Sequence, residues 1–357
     1  MIRRGAPILL AALLAGAAAL GAAPPSASDA LGPLGGRNMY APHLPWYSFA
    51  AESAAPRPVD AVRIHGGIYG MNEFGAYAFD EDTEPLDPDG TLSDQDEFTA
   101  LDYESVILEF GADWQATPTW RFRADWRIHA RYGGVLDGII EGWHGLFGLA
   151  NAGREYFDRN RSAWSIESAR TRDFTGDGPT VATGDLDLEA LWSFSGGSRS
   201  DWALRGAFKI PTGVPSGGFG SGYPDLAAAV TVDWHPWKRW SVYAGAGLIL
   251  PLGSGAYPMG QFFPAVEFRL NPGLSLLAQM NIQSSPIKGP PARRYVHPLF
   301  GSVDMFALPQ TDVKIGLKGR SGRFAWQAYF EEDPLTWEGP DILMFFGASI
   351  DVGGEDL

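Results

Sequence analysis

Arg121, Arg123, Arg127, His129 and Arg131 occupy alternate positions of the run W-R-F-R-A-D-W-R-I-H-A-R-Y, residues 120–132. A row of guanidinium groups on one face is chemistry for carboxylates and other anions, which the planar fork can hold bidentately. Further charges stand in comparable phase elsewhere. Glu109 and Asp113 precede the run, Asp185, Asp187 and Glu189 follow it, then Arg205 and Lys209, then Asp225 and Asp233. Sign alternates from one group to the next, which leaves two outcomes open. The charges pair across neighbouring strands as the filling of a narrow lumen, or the arginine ladder forms one wall of a constriction that orients polar or anionic solutes.

Catalytic chemistry has little support. A hydrolase would need a serine within hydrogen-bond reach of a histidine that a third group orients, and no local spacing among His43, His65, His129, His144, His235 and His297 announces one. With no cysteine, the chain offers no thiol nucleophile, disulfide or thiolate-bound metal. Gly217-Gly-Phe-Gly-Ser-Gly222 has neither a following helix nor the Lys-Ser/Thr of a phosphate cradle. The stretch 77–97 carries Asp80, Glu81, Asp82, Glu84, Asp87, Asp89, Asp94, Asp96 and Glu97, but Pro88 defeats a calcium-loop match. A solvated loop is expected there. No catalytic residue, cofactor or metal site is expected.

The elements that carry the charges follow from the same alternation. Trp120, Phe122, Ala124, Trp126, Ile128, Ala130 and Tyr132 fill the other phase of the run. Successive side chains of a strand point to opposite faces, so one face is apolar and the other charged. The run exceeds the usual strand of about 5–6 residues and suits the about 9–11 tilted residues that cross a bilayer. Similar segments occur at 60–71, 104–114, 184–194, 202–210, 226–234, 240–250, 260–270, 274–283, 311–318, 324–331 and 342–352. The expected fold is all-β: a transmembrane antiparallel up-and-down barrel of about twelve strands, with apolar residues toward lipid and charges toward the lumen.

Two independent features agree with that assignment. Short connections at 115–119, 195–201, 235–239, 271–273 and 319–323 alternate with long ones, as short periplasmic turns alternate with external loops. Trp114 and Trp120, Trp192 and Trp202, and Trp234 and Trp240 flank three of the short turns, where indole prefers the headgroup layer. Segments 162–170 and 46–54 would raise the count to fourteen, but they spoil the alternation near the N-terminus.

Arg3 and Arg4, the Ala- and Leu-rich run 6–23 and Ser28-Asp29-Ala30 read as a cleaved export signal over residues 1–30. Residues 31–58 are expected to form a periplasmic segment, and 59–357 the barrel in the cell outer membrane. The net charge of -15 excludes nucleic acid as a partner. Membrane lipids, the barrel-assembly machinery and small solutes are the expected partners. In the loop 133–157, Leu136, Ile139, Ile140, Trp143 and Phe147 recur at helical spacing. Such a helix would fold into the mouth as a constriction or plug, lie in the lipid interface, or form a packed lid.

Several stretches resemble a family of predicted outer-membrane proteins from Proteobacteria known only as a domain of unknown function. They are R-N-M-Y-A-P from Arg37, the fairly specific run Arg131 to Arg154, G-D-L-D-L from Gly184, L-R-G-A-F-K-I-P-T-G from Leu204 and G-S-G-Y-P-D-L from Gly220. The resemblance implies an envelope β-barrel, with no established activity and no functional residues to carry over. The preferred expectation is a narrow pore or passive transport protein for small polar or anionic solutes. The alternatives are a lipid-modifying enzyme of the outer leaflet and a structural or surface-interaction barrel with a closed lumen.

Overall fold

Alternation of apolar and charged residues recurs in strand after strand, and strands of that kind can hide their backbone groups from lipid only by closing on one another. The computed structural model shows that closure; it describes residues 30–77, 99–147, 159–166, 168, 170–197, 199–287, 295–297, 301–303, 309–333 and 340–354. In chain order the strands are β1 (Val62–Tyr77), β2 (Thr99–Gln115), β3 (Trp120–Tyr132), β4 (Ala163–Ile166), β5 (Phe174–Asp177), β6 (Thr180–Thr183), β7 (Leu186–Gly197), β8 (Ser200–Ile210), β9 (Asp225–Trp237), β10 (Trp240–Pro251), β11 (Met259–Asn271), β12 (Leu274–Gln283), β13 (Tyr295–His297), β14 (Gly301–Val303), β15 (Gln310–Ser321), β16 (Phe324–Glu332) and β17 (Pro340–Val352). One helix, α1 (Asp137–Phe147), follows β3.

Twelve of these strands form the closed antiparallel cylinder β1-β2-β3-β7-β8-β9-β10-β11-β12-β15-β16-β17, sealed where β17 pairs with β1. They are the twelve expected from the sequence. Among the described residues, segment 162–170 contributes only β4, a short strand that extends the sheet at β2, and 46–54 contains no strand. The register carries one instructive slip. β3 pairs Asp125 with Asp187 in β7, then Ile128 with Thr183 in β6. One extra residue therefore sits at Gly184–Asp185, and such a slip exchanges the two faces. Ala182 is accordingly buried and Val181 exposed, whereas odd positions turn inward in β7.

The outer wall is apolar. Ile64, Ile68, Leu108, Phe110, Phe122, Leu188, Leu204, Leu248, Phe262, Leu317, Met344 and Phe346 are all exposed. At the short-turn end stand Trp114, Trp120, Trp192, Trp202, Trp234 and Trp237, with Trp120 stacked on Trp192 at 6.4 Å. No described helix is long and apolar enough to cross a membrane; this chain crosses with strands.

Residues 31–58, expected to form a periplasmic segment, instead run through the lumen as a re-entrant hairpin. At the short-turn end Leu31 N donates to Glu267 and Lys318 Nζ donates to Pro33 O. Gly35 N then meets Gln327 Oε1 at 2.9 Å. At the long-loop end the chain turns at 40–45, where Ala41 N donates to Glu73 and Lys209 Nζ to Pro45 O. It descends past Asp225, Gln261 and Arg205, and leaves at Arg57, whose N–H donates to Gln115. Gly36 passes so close to the wall that an added Cβ would collide with the Tyr329 hydroxyl.

Candidate functional site

Every lumen residue singled out above (Arg121, Arg123, Arg127, His129, Arg131, Asp185, Asp187, Glu189, Arg205 and Lys209) is on the inward phase. Arg123 is partly buried, and the others are fully buried. They fall into three levels along the axis.

At the middle level, Arg37 of the hairpin sits among four wall carboxylates. Its Nη2 donates to Asp125 at 2.8 Å and lies 3.4 Å from Glu189; Asp187 and Glu109 are each at 3.5 Å. Three wall arginines share those acids: Arg123 on Asp125 at 2.6 Å, Arg127 on Asp187 at 2.9 Å and Arg205 on Glu189 at 2.6 Å. The wall thus sets three arginines against four acids at this level, with His65 also on Asp125 at 2.7 Å, and the hairpin adds a fourth guanidinium. Asp125 and Asp187 are also directly opposed across β3 and β7, a like-charge pairing that destabilises a sheet unless a cation bridges it. Arg37 reaches both. Tyr47 of the hairpin adds its hydroxyl to Glu189 at 2.6 Å. Lys209 meets Asp225 at 3.2 Å, Arg63 meets Asp351 at 2.6 Å and Lys314 meets Glu331 at 3.0 Å directly across neighbouring strands, whereas the pairs of Arg127 with Asp187 and of Arg205 with Glu189 are diagonal. Lys209 also reaches Asp185 diagonally, at 2.8 Å.

Above this level, at the long-loop end, aromatic residues close the mouth around Arg131. Its guanidinium lies 4.7 Å from the Tyr103 ring, 4.7 Å from Trp164 and 4.4 Å from Phe219, and it donates to Gly217 O. The glycine-rich loop 217–222 lays Phe219 against His129 and Trp164. Trp46, at the hairpin tip, joins through Phe174.

Below it, a cavity of about 820 Å³ opens toward the short-turn end. Arg57, Arg63, Arg121, Arg123, Lys318, Arg320 and Arg323 line it, against Glu52, Glu109, Asp113 and Asp201. Lys318 is held by carbonyl groups of the hairpin, so its charge is not consumed by a close carboxylate there.

The helical segment takes a different place from the mouth position among the expectations. Gly133 and Gly134 (φ +68°) turn the chain outward after β3, and Glu104 accepts the N–H groups of Val135 and Leu136 at the start of α1. Glu104 belongs to the outward phase of β2, which carries exposed Leu108 and Phe110. Ile140 is buried, Leu136 partly buried and Ile139 exposed; the side chains of Trp143 and Phe147 lie outside the described residues, as does the acidic stretch 78–97. The hairpin, not this helix, fills the lumen.

The sequence reading missed Arg37, Tyr47, Glu52 and Arg57. A signal was present. Between Arg37 and Glu52 there is no Asp, Glu, Lys or Arg, while Tyr40, Trp46, Tyr47 and Phe49 are there, a composition unsuited to a solvated tail.

Among the described residues Ser241 Oγ lies 2.9 Å from His235 Nδ1, inside the lumen. His235 Nε2 has no hydrogen-bond partner among the described residues, so no third group orients the ring as a hydrolase would need. Among those residues no group of three or more His, Asp or Glu side chains is arranged to hold a metal ion.

His43 at the hairpin tip bears on pH. It is buried beside Asn38 Nδ2 at 3.2 Å, level with Glu73 and beyond the apolar belt. Burial pushes its imidazole down to about 3. A histidine lowered on docking binds fewer protons docked than free, so its contribution is complete above the ordinary value near 6.5 and is lost as pH falls toward 3. Protease cleavage of residues 38–47 should therefore rise on acidification below about pH 6.5, with His43→Gln giving a flatter profile. Identical profiles for the two chains would reject this.

The comparisons with known proteins fit the fold. The crystal structure of the COG4313 outer membrane channel from Pseudomonas putida F1 superposes with a TM-score of 0.50 at 12% identity, covering 84% of this chain and 98% of that one. The Ralstonia pickettii toluene transporter TbuX gives 0.40 at 7% identity, covering 83% and 90%. The NanC porin gives 0.39 at 10%, covering 82% and 100%. No curated protein matches the chain. Residues 90–292, more than half of the sequence, match the family described as protein of unknown function (DUF3187), and the chain belongs to that family.

Proposed function

We propose that this protein is an outer-membrane channel for small anionic solutes, held closed by its own N-terminal hairpin. One observation carries the reading. The barrel seals through β1 and β17 without help from the hairpin, which is held by side-chain hydrogen bonds and ion pairs rather than by a strand ladder. A plug attached in this way can leave without opening the wall. Barrels of about 8 strands are filled by their own side chains and those of 16–18 leave an aqueous channel; a twelve-stranded one with an extra segment inside stands between. The vestibule, where seven arginines and lysines stand against four carboxylates, supports an anionic solute, since a cleft with an excess of one charge concentrates the opposite one. The relative from Pseudomonas putida F1 is itself described as an outer membrane channel.

In this reading residues 1–30 are an export signal that is removed, the short turns face the periplasm, and the barrel-assembly machinery inserts the chain among outer-membrane lipids. The dense pairing around Arg37 favours a second reading, a structural barrel whose lumen never opens.

Planar-bilayer recording separates the two. A chain lacking residues 31–57 should give steady channels whose reversal potential in a KCl gradient shows chloride preference. Arg320→Glu with Arg323→Glu should reduce or invert that preference, while the full chain stays closed at rest. Silence from the deleted chain, with the barrel folded, would leave the structural reading standing. Indifference of the reversal potential to the charge reversals would remove the anion assignment.

A further inference from the structure

Helix α1 crosses the outer wall of the barrel at the edge of its apolar belt. Tyr132, Glu104 and Asn72 form one register row across β3, β2 and β1, and all three are on the outward phase. Polar groups pointing at lipid need cover, and here the start of α1 provides it. Glu104 accepts the N–H groups of Val135 and Leu136, and Asn72 Nδ2 donates to Asp137 at 3.4 Å. Asn72, Glu104 and Asp137 are all buried beneath the helix start. The next outward row, Gly70, Val106 and Ala130, lies two residues along the strands, about 7 Å away, and exposed Ile68 and Leu108 stand two residues beyond it, so a helix about 10 Å across reaches the start of the belt.

The face of α1 turned away from the wall is apolar and open. Val135, Gly138, Ile139, Gly142, Gly145 and Leu146 recur at three- and four-residue spacing, opposite buried Asp137 and Ile140. Val135 and Leu146 are each 76% exposed and Ile139 62%, more than the belt residues beside them. Water around such a surface would be unfavourable by about 25 cal/mol per Å², and its continuity with the lipid-facing wall says what covers it instead.

We infer that α1 is an interfacial anchor, bedding Val135, Ile139 and Leu146 in the acyl chains of the outer leaflet while its buried side shields Glu104 and Asn72. The inference rests on the barrel crossing a membrane and not on channel activity.

The chain has no cysteine, so single labels are unambiguous. Ile139→Cys and Leu146→Cys, each carrying a nitroxide, are reconstituted in phospholipid vesicles beside Leu108→Cys in the belt and Arg172→Cys on an exposed loop. Collision with oxygen reports lipid and collision with a chelated nickel ion reports water. The helix labels should match Leu108→Cys, with oxygen favoured several-fold over nickel. A match to Arg172→Cys would overturn the anchor and leave the barrel intact. Water at Leu108→Cys as well would overturn both.

Discussion

Replacing Arg37 with Ala should cost the folded barrel about 3–5 kcal/mol, the penalty typical of removing one partner from a buried ion cluster. Arg37 is fully buried and touches Asp125, Asp187, Glu189 and Glu109. Without it, three wall arginines face four carboxylates, and the opposed pair Asp125 and Asp187 loses the cation shared between them. Arg37→Lys should recover little, because a compact ammonium cannot span acids set around a planar fork. Arg37→Ala combined with Asp187→Asn should recover much of the loss, since it removes one of the two directly opposed carboxylates that Arg37 bridges. The measurement is thermal or urea unfolding in detergent, followed by the electrophoretic shift between folded and unfolded barrel. A loss below about 1 kcal/mol, as for an exposed pair, would mean that water fills this level and that the cluster does not hold the hairpin.

The barrel was legible because a period of two is a strong signal when one phase is wholly apolar. Trp120 to Tyr132 states it, and tryptophans beside short turns mark one membrane boundary without reference to it. The slip at Gly184–Asp185 was not legible. A single added residue leaves composition and alternation nearly unchanged, and only pairing with β3 shows that the inward phase has switched. The lumen charges were assigned to the inward side from phase alone. Their partners were not, because pairing at Asp187 and Glu189 is diagonal and the decisive cation comes from a segment with no alternation at all. Arg37 lies 88 residues from Asp125 in the chain, so no spacing rule links them. α1 shows the limit of periodicity in another way. Helical spacing predicts a helix with two faces, but which face meets the wall depends on Glu104 and Asn72, contributed by other strands.

Arginine in place of Leu108 should destabilise the barrel by about 2–4 kcal/mol in a bilayer, the cost of a charged side chain near the midplane of a lipid-facing wall. Leu108 is outward on β2, between the tryptophan boundary at Trp114 and the polar row at Glu104. Val181→Arg, at the edge of the belt on β6, should cost only about 0–1 kcal/mol, because near the interface a long side chain reaches water. The contrast matters more than either value. Both residues are exposed, Val181 more so at 73%, and in water both substitutions would fall within about 0.5 kcal/mol. Refolding titrations in urea with phospholipid vesicles measure the difference. A depth-dependent gap requires acyl chains against β2, whereas two small and equal effects would place this surface in water and remove the membrane, the channel and the anchoring helix together.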